Sequence, residues 1–365
     1  MCLSKKTTGT ERKISLFKPS TLIKNVMVAP YRQHKADGDM WPITWAADGN
    51  LYTAAGDNQE SPMNFWRVEG HPSEREWGPP PFVYLVDNMP VDPKIYCQQP
   101  NVHQKWGIKP ASLLSLNKTL YFAVELMNFG DTLEWNRQRN ISSWIITSVD
   151  FGKTWNREAS SLNFFTGRVA SPHFLQFGRD YEGARDRFIY AYFPVGEDGG
   201  SYWENADMLL LGRVSCEKIL DRSAWEFFGG KENCWLRDES KAIPIFSYPR
   251  MTGENHVSYN AGLKRYIMGN YSFTDFNGQP MPYHQGSPTW EADKQKSQLT
   301  LFEAPEPWGP WSLFYQDDDW GVSGGYQPSF PTKWMSNDGR TMWMVFSGSE
   351  EDYNFTLQKL TLELF

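Results

Sequence analysis

Apolar and polar positions alternate with a period of two along much of this chain, most plainly in FTLQKLTLEL (355–364). That period marks strands with one face turned to a core. No stretch keeps a helical period for more than two or three turns, and Pro and Gly recur between the apolar runs. The runs come in pairs. An apolar run, a polar turn and an aromatic run follow one another at residues 41–57, 109–128, 171–194, 256–272 and 326–348. Segments 144–155, 208–228 and 298–315 add a third, Trp-bearing strand. The units start roughly 60–85 residues apart, wider than the roughly 40–50 of compact blade repeats, which leaves room for long loops. Five such units predict an all-β chain folded as a five-bladed β-propeller. Residues 355–364 then belong to the last blade, with 13–30 supplying a closing strand. Residues 1–29 form an N-terminal extension and 30–365 the propeller.

The first pair carries the sharpest local signal. Asp48-Gly49, set between apolar and aromatic residues, is a strong hairpin turn. Asp39 and Asp57 each lie nine residues from Asp48. With strands at 41–47 and 51–56, both carboxylates emerge on one rim. Neighbouring strands are about 4.8 Å apart, which puts the two acids within about 5–10 Å, the range of paired glycosidase acids. Trp41, Trp45 and Tyr52 are candidate flat faces for a sugar ring.

Projecting the other hairpins onto the same rim extends the set. Blade two gives Lys109 and, opposite it, Glu125 to Asn128. Blade three gives His173 with Tyr192 opposite. Blade four gives His256 and Tyr259 with Asn270 opposite, and blade five gives Tyr326 and Ser329. Acids, histidines and aromatics on one ring suit general acid–base chemistry on a sugar. Glu125 stands inside the apolar run FAVELMN, where a buried carboxyl must be paired or protonated.

Composition narrows the partner. Aromatic residues make up 16% of the chain, including 17 Trp, and the formal net charge is −7. That charge disfavours a nucleic-acid backbone, which needs clustered Lys and Arg. No apolar run approaches the roughly 18 residues that cross a bilayer, so no membrane partner is expected. The expected partner is a carbohydrate bound by a monomer. Cys2, Cys97, Cys216 and Cys234 have no zinc-like spacing. No cofactor is required and no metal ligand set stands out, although Asp317-Asp318-Asp319 offers oxygen ligands for a structural calcium. Asn117, Asn140, Asn270 and Asn354 head Asn-x-Ser/Thr sequons. The N-terminus MCLSKKTTGTERK lacks the apolar centre of a secretory signal. That leaves two compartments open, the cytoplasm or, with a leader removed, the exterior.

SVDFGKTW (148–155) matches the Asp-box of sialidase-like propellers, a structural turn. Asp150 is placed to accept backbone N–H groups, Gly152 to take a left-handed conformation and Trp155 to pack between blades. GDMWPITWAADGNLYTAAGDN, LFEAPEPWGPW, SYNAGLKRY, PSFPTKW and SNDGRTMWMVFSG resemble the signatures of a broad family, long without assigned function, that includes the five-bladed endo-D-arabinanases. The resemblance spans nearly all of residues 30–364. It implies a glycoside hydrolase with an acidic pair in the first blade, at the positions of Asp39 and Asp57, and an arabinan-type furanoside among the candidate substrates. Two other chemistries fit the rim residues. One is a polysaccharide lyase with His173 or His256 as base and Tyr259 or Tyr326 as proton donor, drawing on Lys109, Arg250 and Arg265 to bind a uronic acid. The other is a non-catalytic carbohydrate-binding propeller.

Overall fold

The computed structural model describes residues 16–34, 36, 38–56, 63–72, 82–86, 107–128, 139–281, 296–321, 324–348 and 354–365, with only the backbone at 82–86 and 128. Two strands come first, β1 (Ile23–Val28) and β2 (Arg32–His34). Blade one follows as β3 (Asp39–Trp45), β4 (Leu51–Gly56), β5 (Met63–Val68) and β6 (Phe82–Val86). Blade two holds β7 (Ile108–Leu116), β8 (Thr119–Asn128), β9 (Arg139–Ser148) and β10 (Phe165–Thr166). Blade three runs β11 (His173–Phe174), β12 (Phe188–Val195), β14 (Ala206–Ser215), β15 (Glu226–Phe228) and β16 (Trp235–Leu236). Within it β13 (Ser201–Tyr202) leaves to pair with β9, and β17 (Phe246–Thr252) pairs with β14. Blade four is β18 (His256–Asn260), β19 (Arg265–Thr274), β20 (Lys296–Ala304) and β21 (Ser312–Asp317). Blade five orders β22 (Tyr326–Ser329), β23 (Thr341–Ser347), β24 (Phe355–Leu364) and β1.

These sheets are the five blades of a β-propeller. Short antiparallel hairpins build each blade, as the alternating pattern dictates. The first turn shows how: Gly49 takes φ +88°, and Asp48 accepts the Asn50 amide at 3.0 Å. β1 lies antiparallel to β24, from Ile23 opposite Leu364 to Val28 opposite Leu360. An N-terminal strand thus completes the blade that holds the C-terminus, and it covers an edge that would otherwise offer unpaired backbone groups.

Aromatic rings fill the spaces between blades. Trp155 meets Phe65 of blade one with centroids 5.0 Å apart and Phe122 of blade two at 5.8 Å. In the turn before it, Asp150 accepts the Thr154 amide at 2.9 Å, its hydroxyl at 2.6 Å and the Ser148 hydroxyl at 2.8 Å. Gly152 has φ +88°, and a Cβ there would overlap the Phe65 ring. Trp308 stacks on Phe228 with centroids 5.7 Å apart, and Trp311 is buried, so APEPWGPW packs into the wall.

Trp41 is no sugar platform. It is wholly enclosed, its indole N–H donates to the Asn354 carbonyl at 3.0 Å, and Phe355 packs edge-on against it. Tyr52 is also buried, with its hydroxyl on Asp48. The inner strand of blade three is only two residues long, shorter than the hairpin at 171–194 implied. The sequon residues Asn140, Asn270 and Asn354 are buried. Cys216 and Cys234 are free thiols.

Candidate active site at the propeller axis

β3, β7, β11, β18 and β22 are the innermost strands, and they touch one another in ring order. Their starts bring polar side chains from all five blades to one end of the axis. Asp39 opens β3, Lys109 is the second residue of β7, His173 opens β11, His256 opens β18 and Tyr326 opens β22. Glu125 faces Lys109 across the β7–β8 ladder. Each is nine-tenths or more buried. Isolated charges do not survive such burial, so each must be paired, hydrogen-bonded or neutral.

Asp39 is held from two sides. The Tyr326 hydroxyl donates to its Oδ2 at 3.0 Å, and the Lys109 ammonium lies 4.0 Å from its Oδ1. Both stabilise negative charge on that carboxylate. The backbone around it is sharply bent: Gly38, Met40 and Trp41 all have positive φ, and the register against β4 slips between Met40 and Ile43. The Met40 amide is anchored on Ser347 Oγ of blade five at 2.9 Å. Gly56, opposite Asp39, stands in close quarters. A Cβ there would lie 3.0 Å from Pro110, 3.1 Å from Asp39 Oδ1 and 3.2 Å from the Lys109 side chain.

The second acidic centre is a pair. Glu254, in the loop between β17 and β18, is completely buried, as is Glu125. Glu254 accepts from Ser171 Oγ at 2.9 Å, Asn140 Nδ2 at 3.1 Å and Gln327 Nε2 at 2.5 Å. Glu125 is buried beside Ser171 and Glu254, both of which interact with its carboxyl group. Burial, and then the charge of Glu254, push Glu125 well above the usual carboxyl range. Burial also raises Glu254, while its donors pull it back. Donors favour the ionised form of the group that accepts from them. Glu254 therefore carries the charge first and Glu125 keeps the proton.

Two histidines complete the ring. His173 Nε2 sits 2.9 Å from Ser171 Oγ and 3.6 Å from Glu254 Oε1. Its ring meets that of His256 edge-on at 5.1 Å. Burial lowers both, His173 to about 3, so both imidazoles are neutral near pH 7. His173 therefore meets Glu254 as a dipole rather than as a cation.

The structure thus gathers Asp39, Lys109, Glu125, His173, His256 and Tyr326. It sets others apart. Tyr259 lies further along β18, packed on Phe177 and Tyr266, because three residues of strand carry it about 10 Å from His256. Tyr192 donates to the Pro307 carbonyl, and Asn270 donates to the Met251 carbonyl of blade three and to Thr300 Oγ1 of its own blade. Asn128 ends β8, paired through its backbone with Arg139, and its side chain lies outside the described atoms. Asp57 lies outside the described residues. Glu254, Ser171, Asn140 and Gln327 escaped the sequence reading. The signal for Glu254 was a carboxylate two residues ahead of a strand-opening His, in GENHVSY.

The acidic run Asp317-Asp318-Asp319 is divided among partners. Asp318 takes Gln298 and Gln316, each at 2.7 Å, and Asp317 takes the Asp319 amide at 3.0 Å. Among the described residues no three His, Cys, Asp or Glu side chains converge as a metal site, and no helix is long and apolar enough to cross a membrane.

No family model matches the chain, and no curated protein does either. Solved structures do. A GH43_1 enzyme from Xanthomonas citri aligns over 93% of this chain and 90% of its own, with TM-score 0.50 and 13% identity. An endo-1,4-beta-xylanase from Bacteroides thetaiotaomicron aligns over 92% and 97%, with TM-score 0.50 and 8% identity. At these identities the likeness establishes a common fold.

Proposed function

We propose that this propeller is a glycoside hydrolase acting on a polysaccharide or oligosaccharide, an arabinan-type furanoside among the candidates. One observation carries the reading. A carboxylate supported by a phenol and an ammonium shares the axis with a second acidic centre that retains a proton. Glycosidases need that division of labour: one group protonates the leaving oxygen while an ionised carboxylate activates water or attacks the anomeric carbon. Asp39 takes the ionised role. The Glu125–Glu254 pair supplies the proton, with Glu254 tuning its release. Asp57, one residue beyond Gly56, is the other candidate partner for Asp39. Lys109, His173, His256 and Tyr326 hold and neutralise the centre and border the bound sugar. Two solved propellers of similar fold are described as a GH43_1 enzyme and an endo-1,4-beta-xylanase, which agrees with this reading.

The lyase alternative draws less support. A base that removes a proton from carbon needs appreciable basicity, and burial lowers both axial histidines. The test is incubation with a panel of plant, bacterial and fungal polysaccharides. New reducing ends without ultraviolet absorbance indicate hydrolysis, an unsaturated product indicates a lyase, and binding without products indicates a lectin. Where hydrolysis is found, comparing Asp57→Asn with Glu125→Gln decides which acid works with Asp39.

A further inference from the structure

We infer that the dipeptide Tyr326-Gln327 is a positioning clamp that fixes the two acidic centres relative to each other, Tyr326 gripping Asp39 and Gln327 gripping Glu254. In a regular strand, neighbouring side chains point to opposite faces, so one dipeptide would not serve two groups on the same axis. Here both residues do. Tyr326 donates to Asp39 Oδ2 at 3.0 Å, and Gln327 Nε2 donates to Glu254 Oε2 at 2.5 Å.

The backbone explains how. Gln327 has φ +52°, and the register of β22 against β23 slips between Tyr326 and Ser329. A left-handed conformation is unusual for a residue with a side chain, and a following proline restricts its backbone further. Residue 328 is proline. Such strain persists only where the surroundings impose it. They do so here. Gln327 is fully buried, and Pro328 seats against Gly269 of blade four so closely that a Cβ at 269 would stand 2.9 Å from both its ring and its carbonyl. Tyr326 is walled by Trp203, Tyr271 and Phe273. The amide of Gln327 does not titrate, so it donates to Glu254 at any working pH. It thereby biases the shared proton toward Glu125.

This inference rests on the reading of both centres as the acids of the reaction, but its test does not. Gln327→Gly keeps the left-handed backbone and removes the amide. The readout is the infrared carboxylic-acid band of the buried pair, identified by its loss in Glu125→Gln and followed against pH. Losing a donor to the ionised form raises the midpoint. A rise of about half a pH unit or more is expected, with the alkaline limb of kcat moving the same way. Gln327→Asn, whose shorter amide tolerates the same backbone, should behave like the Gln327→Gly variant. It takes the place of that variant if the glycine substitution prevents folding. An unmoved midpoint in the folded variant, or full rescue by the asparagine substitution, would overturn the clamp and leave Gln327 a backbone device. A shifted midpoint in a protein that cleaves no glycan would support the clamp and sink the hydrolase reading.

Discussion

Buried ionisable residues give this protein two opposing pH dependences. Glu125 and Glu254 are raised by burial, Glu254 to about 8. The folded state therefore keeps protons that the unfolded chain loses above an ordinary value of 4.5, and stability falls as pH rises through that window. His173 and His256 are lowered, His173 from 6.5 to about 3. The unfolded chain protonates them first, so stability falls as pH drops below 6.5. The effects oppose each other between 4.5 and 6.5. Above 6.5 only the carboxyls act among these four groups. The melting temperature should therefore decline from about pH 6.5 to 8, at no more than about 1.4 kcal/mol per pH unit for each carboxyl. Thermal scans of Glu125→Gln should show a shallower decline, and a wild-type curve flat over that range would contradict the assignment. Residues at strand starts, such as Asp39, His173, His256 and Tyr326, were legible because hairpin geometry alone places them. Glu125 was legible from its polar mismatch with an apolar run. Glu254 and Gln327 were not, since one sits in a loop and the other relies on a left-handed backbone. The same kind of bend misled the reading of Trp41, which it turns into the core.

At the scale of the element, turns fix where strands begin and how blades meet. The Ser148–Trp155 turn combines carboxylate hydrogen bonds with a tryptophan lodged between blades one and two. Asp150→Ala should cost about 1–3 kcal/mol in urea unfolding and leave turnover at a permissive temperature unchanged, because the turn is remote from the carboxyl pair. Gly152→Ala should cost more. It adds a positive φ penalty to a clash with Phe65. An alanine at 152 as stable as wild type would show that the inter-blade contact is looser than described. These turns were readable, since Asp, Gly and Trp at fixed spacing specify them locally. The segment from Gly196 to Asn205 was not. It carries β13 across to blade two and Trp203 against Tyr326 of blade five, and no local pattern announces a partner in another blade.

At the scale of the whole molecule, repetition made the architecture legible: five hairpins of similar pattern have few ways to bury five apolar faces. Blade three departs most, with a short inner strand and an added β15–β16 hairpin. Ring closure depends on β1. Deleting residues 1–28 should leave β24 with an open edge beyond Leu357, lower the melting temperature and promote association by strand pairing, as seen by light scattering. A deletion that melts like the intact chain would show that closure does not rest on that strand. The central claim is that the acids at the axis cleave glycosidic bonds, and rate measurement tests it most directly. Asp39→Asn and Glu125→Gln should be folded by circular dichroism and still bind a glycan that the wild type cuts. Each should release reducing ends about 10²–10⁴-fold more slowly. Wild-type rates in both variants, alongside an inert His256→Ala, would contradict the account.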